Sequence, residues 1–196
     1  DSRAYRDDPM VQRLLGLNRL PDVATLSRML KEADERSVNN LRDLLREMLF
    51  ERLASLGLTR ITLDFDGSVQ STRRHAEGTA VGYNKKRKGA RSYYPLFCTI
   101  AQTAQVLDFL HRSGNVHDSA GAQEFILACV QAVREALPGV IIEVRMDSAF
   151  FSDAIVSALQ AGGIEFTISV PFERFVQLKR MIEQRRRWRG INAEVS

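Results

Sequence analysis

Two cysteines, Cys98 and Cys129, are all that the 196 residues contain, and both sit in apolar stretches. That excludes a disulfide-stapled secreted scaffold and a zinc knuckle, and it fits a reducing, cytoplasmic setting. No apolar run approaches the roughly 20 residues that span a bilayer, and the N-terminal stretch lacks a secretory-leader pattern. There is no Gly-x-x-x-x-Gly-Lys loop, no dinucleotide fingerprint and no Ser-His-Asp order, so ATP use, hydride transfer and acyl-enzyme chemistry are not indicated. The three histidines, His75, His111 and His117, have no mutual metal-ligand spacing and read as surface or core residues. Neither sign of charge dominates. Lys and Arg number 28 against 24 Asp and Glu, a net charge of +4 that suits a polyanionic partner without requiring one.

What is present is an ordinary globular composition, 44% hydrophobic and 27% charged. A chain of this length forms one main domain and buries about 70% of its unfolded surface, enough for a core without metal or disulfide support. The first residue is Asp1 and the sequence stops at a tail, Ile191 to Ser196, that is half polar, which reads as a piece of a longer protein.

Residues 1–57 read as a helical N-terminal region. Pro9 opens a short helix, a second covers 22–33, and Ser37 caps a third with Leu41, Leu44, Leu45, Met48, Leu49 and Leu53 at helical spacing. Arg13, Arg19, Arg28, Arg36, Arg42 and Arg46 offer a DNA contact here. Acidic residues of similar number favour a plain helical subdomain.

At Thr59 the pattern changes. Arg60 to Asp66 alternates with period two, as a strand does. Residues 94–102 and 105–111 are two further strands, joined by Thr103-Ala104 and therefore antiparallel neighbours. A helix over 119–137, a strand over 140–146, a Ser152-capped helix to Gln160, a strand over 164–170 and a helix from Pro171 to about Arg187 follow. The order β, β, β, α, β, α, β, α implies a mixed α/β sheet covered by helices on both faces. Residues 77–92, with three glycines and Lys85-Lys86-Arg87-Lys88, read as a loop or mobile hairpin tip.

Chemistry concentrates on carboxylates at strand ends. Asp64 and Asp66 are two apart on one strand and share a face. Asp147 directly follows the strand over 140–146. If these two strands are neighbours, Asp66 and Asp147 converge, and converging carboxylates suit Mg²⁺ or Mn²⁺. The alternatives are structural: Asp66-Gly67-Ser68 also fits a turn, and Asp147 also fits a helix cap.

Several blocks resemble bacterial insertion-sequence transposases with a DDE domain of the group 1 type. Leu63-Asp64-Phe65-Asp66-Gly67-Ser68 is similar to their first catalytic block. Gly82-Tyr83-Asn84 with the basic run, and Arg91 to Leu96, resemble the next segment. Arg112 to His117 resembles a Gly-Asn-x-His element, and Arg145 to Ser152 the second catalytic block. Leu20 to Arg28 resembles a short helical motif upstream. The order matches and covers most of the chain.

The resemblance implies a ribonuclease-H-like fold, with 58–196 a partial DDE catalytic core. It implies DNA strand cleavage and strand transfer, Mg²⁺ or Mn²⁺ as cofactor, and double-stranded DNA (terminal inverted repeats and target) as partner. It also implies a homodimer in the full enzyme. By position it makes Asp66 and Asp147 the catalytic, metal-binding acids, with Asp64 an outer neighbour. The family's third acid is a Glu in a Tyr-x-x-Arg-x-x-x-Glu setting, which this sequence lacks. The rival is Glu183, 36 positions after Asp147 and at the border of an apolar helix face. With two acids, the piece alone is expected to be inactive or nearly so. Lys85, Lys86, Arg87, Lys88 and Arg91 are the expected phosphate contacts, with Tyr93 and Tyr94 nearby for stacking. A second basic cluster, Arg180, Arg185, Arg186, Arg187 and Arg189 with Trp188, faces either DNA or further protein. A metal-dependent nuclease of the same fold and a non-catalytic DNA-binding module are the competing readings.

Overall fold

The computed structural model describes residues 2–5, 7–72, 75–82, 84, 87–117 and 119–187. It parts the chain into two compact units, residues 1–47 and 48–196.

The first unit is helical. In α1 (Pro9–Leu14), Asp8 accepts from the backbone N–H groups of Met10 and Val11, and Pro9 takes the first position, where no N–H is needed. In α2 (Val23–Glu32), Asp22 caps Ala24 at 2.9 Å. The long α3 (Glu35–Ser55) begins three residues earlier in sequence than a Ser37 cap would place it. Asp34 is the cap: its Oδ1 accepts from the Ser37 hydroxyl at 2.5 Å and the Ser37 backbone N–H at 2.8 Å. A carboxylate outcompetes a hydroxyl for orphan N–H groups, and these two bonds hold Asp34 below the ordinary carboxylate range. The last two turns of α3 belong to the second unit, where Leu49 and Leu53 join the core.

The second unit is built on a five-stranded sheet ordered β6-β5-β1-β7-β8. Its strands are β1 (Arg60–Gly67), β5 (Leu96–Ile100), β6 (Gln105–Leu110), β7 (Ile141–Met146) and β8 (Glu165–Ile168). β5 runs antiparallel to both β1 and β6, whereas β1, β7 and β8 are parallel. An antiparallel meander followed by parallel crossovers is the ribonuclease-H-like order, as the resemblance implies. The Thr103-Ala104 link makes the tight turn between β5 and β6, with Ala104 in the left-handed region at φ 54°.

Period-two alternation decides the two faces of the sheet. Ile61, Leu63 and Phe65 of β1 are buried with Leu96, Cys98, Ile100, Ile142, Val144 and Met146. Helix α4 (Ala122–Ala136) supplies Phe125, Ile126, Cys129, Val130 and Val133 to the same core, and α5 (Asp153–Ala161) supplies Ile155 and Leu159. Phe125 meets Phe65 edge to face, ring centroids 5.9 Å apart. Cys98 and Cys129 are free thiols in this core. Burial, with Cys129 beside it, pushes the Cys98 thiol well up.

The opposite face carries a polar ladder. Glu143 accepts from Thr62 and Thr167, Arg60 pairs with Glu165, and Arg145 pairs with Asp64. Arg60, Glu165, Arg145 and Thr167 stand exposed there, where the charged groups keep their hydration.

Of the two readings of residues 77–92, the structure takes the hairpin rather than the bare loop. Strands β3 (Ala80–Val81) and β4 (Arg91–Tyr93) pair antiparallel, and β2 (Gln70–Ser71) completes a second sheet, β2-β4-β3. The last helix, α6 (Val176–Glu183), is shorter than the span from Pro171 to Arg187. Residues 171–175 form successive turns, Arg174 N–H to Pro171 O at 2.8 Å and Phe175 N–H to Phe172 O at 3.2 Å. Pro171 suits the start of a turn as well as the start of a helix, and Phe175 is pinned by an edge contact with Phe151.

Candidate active site

β1 and β7 pair in parallel, with Asp64 opposite Arg145 and Phe65 opposite Met146. The register ends there: Asp66 is the next residue of β1 and Asp147 the first residue after β7, so both lie at the C-terminal ends of neighbouring strands. In open α/β sheets ligands bind outside those strand ends. A cleft of about 780 Å³ lies there. Asp147, Ser148 and Ala149 line it, with Gly67 and Ser68, the residues after Asp66; Asp66 itself is not among the lining residues. Asn84, Tyr94 and His117 line it too, and Glu173 and Arg174 come from the turn after β8.

The three aspartates differ in what they touch. Asp66 is exposed, and no partner engages its carboxylate among the described residues. Asp147 caps the single turn Ser148–Phe150, its Oδ1 accepting the Ala149 N–H at 2.9 Å. The cap uses one oxygen and leaves Oδ2 for another ligand, so capping and metal binding are compatible. Asp64 is committed elsewhere. Arg145 grips it with a fork, Nε to Oδ1 at 2.6 Å and Nη2 to Oδ2 at 2.8 Å. The same contact raises the Arg145 guanidinium further above its ordinary range. A metal ion would have to break this fork to use Asp64.

The Asp64–Arg145 pair is 34% and 49% exposed, so solvent screens it. A double-mutant cycle on Asp64→Asn and Arg145→Met is expected to give a coupling of about 1 kcal/mol or less in thermal unfolding. The pair sets side-chain register more than it sets stability.

Hard oxygen donors on adjacent strand ends fit Mg²⁺ or Mn²⁺ in type. Among the described residues no three of His, Cys, Asp and Glu gather into a group that would hold a metal. Glu183 sits exposed on α6, within 3.8 Å of Lys179, and does not line the cleft. Glu173 does line it, and no motif in the sequence marked it.

The second sheet forms one wall of the cleft, and backbone proximity holds it in place. A Cβ on Gly82 would fall 1.8 Å from the Gly114 carbonyl oxygen. A Cβ on Gly114 would fall 2.3 Å from Ser92 Oγ and 2.5 Å from Ser92 O. Arg112, 6% exposed, ties the following loop down, donating to the carbonyls of Tyr94 (3.0 Å), Ala120 (3.2 Å) and His117 (3.4 Å). Its guanidinium also lies 5.2 Å from the Tyr94 ring centre.

The basic segment divides. Asn84, buried, donates to Ser71 Oγ and accepts the Arg87 N–H, which starts the turn that presents Arg87 and Lys88 to solvent. Arg91 is half-buried, its guanidinium bonded to Thr79 Oγ1 and the Thr79 carbonyl. Lys85 and Lys86 lie outside the described residues, as do Tyr83, Trp188 and Arg189. Tyr93 packs on His111, ring centres 4.7 Å apart, and its hydroxyl donates to Glu77 O. No helix among the described residues is long and apolar enough to cross a membrane.

Comparison with known proteins adds the following. A family model described as "Transposase DDE domain group 1" matches residues 1–190. No curated protein matches the sequence. Among solved structures, the piggyBac transposase synaptic complex with hairpin DNA is similar at 14% identity and a TM-score of 0.43, over 66% of this chain and 27% of that one. The catalytic domain of Mos1 mariner transposase is similar at 13% identity and a TM-score of 0.39, over 80% of this chain and 76% of that one. The Mos1 transposase paired-end complex with left transposon end gives 13% identity and a TM-score of 0.41, over 94% and 59%. The chain thus spans about a quarter of the piggyBac protein and under two thirds of the chain in the Mos1 paired-end complex.

Proposed function

Because the chain belongs to the transposase DDE domain group 1 family, we propose that it carries the first part of the catalytic centre of a DNA transposase. In this reading Asp66 and Asp147 bind the divalent cation on which strand cleavage and strand transfer depend. What supports the proposal is the parallel β1–β7 pairing, which brings together the strand end carrying Asp66 and the strand end that Asp147 follows, with Asp147 lining a cleft there. Asp66 and Asp147 would hold Mg²⁺ or Mn²⁺, which would supply Lewis-acid activation of the attacking oxygen and charge stabilisation of the leaving one.

The protein's own residues do the rest. Asp147 keeps its orientation through the Ala149 N–H. Arg145 neutralises Asp64, so that one rung away from Asp66 and Asp147 there is no third uncompensated negative charge to repel the DNA. Arg87 and Lys88, with Lys85 and Lys86, contact phosphates of double-stranded DNA outside the cleft. Arg91 supports that segment through Thr79 rather than reaching out from it. The third acid comes from beyond this pair; Glu183 takes that role only by releasing Lys179 and turning to the cleft. Homodimerisation and action on DNA in the cytoplasm are part of the same proposal.

The test is a strand-cleavage and strand-transfer assay of the complete protein on paired element ends, with Mg²⁺, Mn²⁺ or EDTA. The expected result is metal-dependent cleavage followed by joining of the freed 3′-hydroxyl to a target duplex. Cleavage without joining supports a nuclease of the same fold instead. DNA binding without cleavage in any metal overturns the catalytic reading.

A further inference from the structure

His117 is the one imidazole on the cleft, and the fold holds it with unusual care for an exposed side chain. The Ser119 backbone N–H points at its Nδ1 at 3.3 Å, and the Ser119 hydroxyl lies 3.0 Å from the same atom. A backbone N–H can only donate, so Nδ1 is an acceptor. The ring proton of the neutral imidazole is therefore on Nε2. Nε2–H is a donor whether or not the ring is charged.

The loop carrying His117 is stiff for reasons already given. The buried Arg112 donates to the His117 and Ala120 carbonyls. Gly114 packs where no Cβ fits, against Ser92 and Ala80, and Gly82 packs on Gly114 in turn. A buried guanidinium and two Cβ-free contacts converge on this loop, and His117 is its residue that lines the cleft. Such support serves a site more than it serves stability. Arg174 adds a guanidinium to the same cleft, and Ser68 a hydroxyl. These donors, lining the same cleft as Asp147 and Glu173, suit a phosphodiester. Its oxygens need hydrogen bonds where the carboxylates repel them.

We propose that His117 is a positioning residue for the DNA strand in the cleft, its Nε2–H donating to a phosphate oxygen beside the reacting bond. The inference rests on the functional reading above and names a contact which that reading does not supply.

The experiment uses the complete protein, supercoiled plasmid as substrate and Mn²⁺ as the metal. It compares His117→Ala, His117→Gln, Asp66→Asn and Asp147→Asn for nicking rate, half-saturating plasmid, half-saturating Mn²⁺ and melting temperature. His117→Ala is expected to lower the nicking rate at saturating plasmid about 10- to 100-fold, the range of a hydrogen bond to a charged group. Half-saturating Mn²⁺ and melting temperature should not move. His117→Gln keeps an N–H donor at similar reach and should recover most of the loss. Equal losses in the Ala and Gln variants, with lowered melting, would show a structural role and overturn the proposal. Wild-type rates in His117→Ala, with both Asp variants inactive, would overturn it and leave the functional reading intact. Nicking that survives both Asp substitutions, or a wild type that never nicks, would remove the functional reading and this inference together.

Discussion

Asp66→Asn and Asp147→Asn should each lower metal-dependent strand cleavage by about a thousandfold or more, with melting within a few degrees of wild type. A thousandfold corresponds to about 4 kcal/mol of transition-state stabilisation, in the range of a metal-held charge. Both changes conserve shape and remove charge. Asp66 is exposed and no partner engages it among the described residues, so the fold loses little. Asp147 caps the Ala149 N–H, and Asn caps as well as Asp, so that contact survives. Isothermal titration with Mn²⁺ should show the binding lost in step with activity. Asp64→Asn is the contrast. It weakens the fork from Arg145 and should lower activity far less, since its carboxylate is already occupied. A non-catalytic DNA-binding module would show none of this pattern.

Gly82→Ala and Gly114→Ala are the substitutions expected to cost most in stability. At both positions the added carbon meets backbone. For Gly82 it meets the Gly114 carbonyl at 1.8 Å, and for Gly114 it meets Ser92 O at 2.5 Å and Ala80 O at 2.8 Å. Neither contact relaxes by a rotamer change, so β3 and the loop after Arg112 have to separate. Overpacking of this kind costs about 3 kcal/mol or more, a fall of roughly 6–12 °C in melting temperature for a chain of this size. Cleavage should fall further than stability alone explains, because Asn84 and His117 leave the wall of the cleft. Calorimetry and the plasmid assay on the same preparations check both parts. A variant that melts like wild type would mean that β3 and the loop after Arg112 do not meet as described.

The sequence was most legible where one pattern ran for a whole element. The alternation of Arg60 to Asp66 and of residues 140–146 exposed β1 and β7, and the apolar face from Phe125 to Val133 exposed α4. Asp64 and Asp66 share a face for the same reason. Adjacency of β1 and β7 entered only as a condition, because local patterns do not say which strands pair. The small second sheet was invisible for a physical reason. Its strands are two or three residues long, too short for alternation, and long-range pairing with two glycine close contacts holds it together. His117, Glu173 and Arg174 reach the cleft from separate segments, so no spacing rule joined them. Arg145 as the partner of Asp64 needed the register, 81 residues apart in sequence. The Asp34 cap and the late start of α6 were local misreadings: Asp34 and Ser37 can both cap, and Pro171 can open a turn as well as a helix.

The central claim is that Asp66 and Asp147 hold one ion between neighbouring strands, and a crystal of the complete protein soaked in Mn²⁺ measures that directly. The account predicts an anomalous peak between the two carboxylates, with an oxygen from each about 2–2.5 Å from the ion and the Asp64–Arg145 fork intact beside it. Ordered Mn²⁺ elsewhere, or carboxylates more than about 6 Å apart with no shared ion, would contradict it.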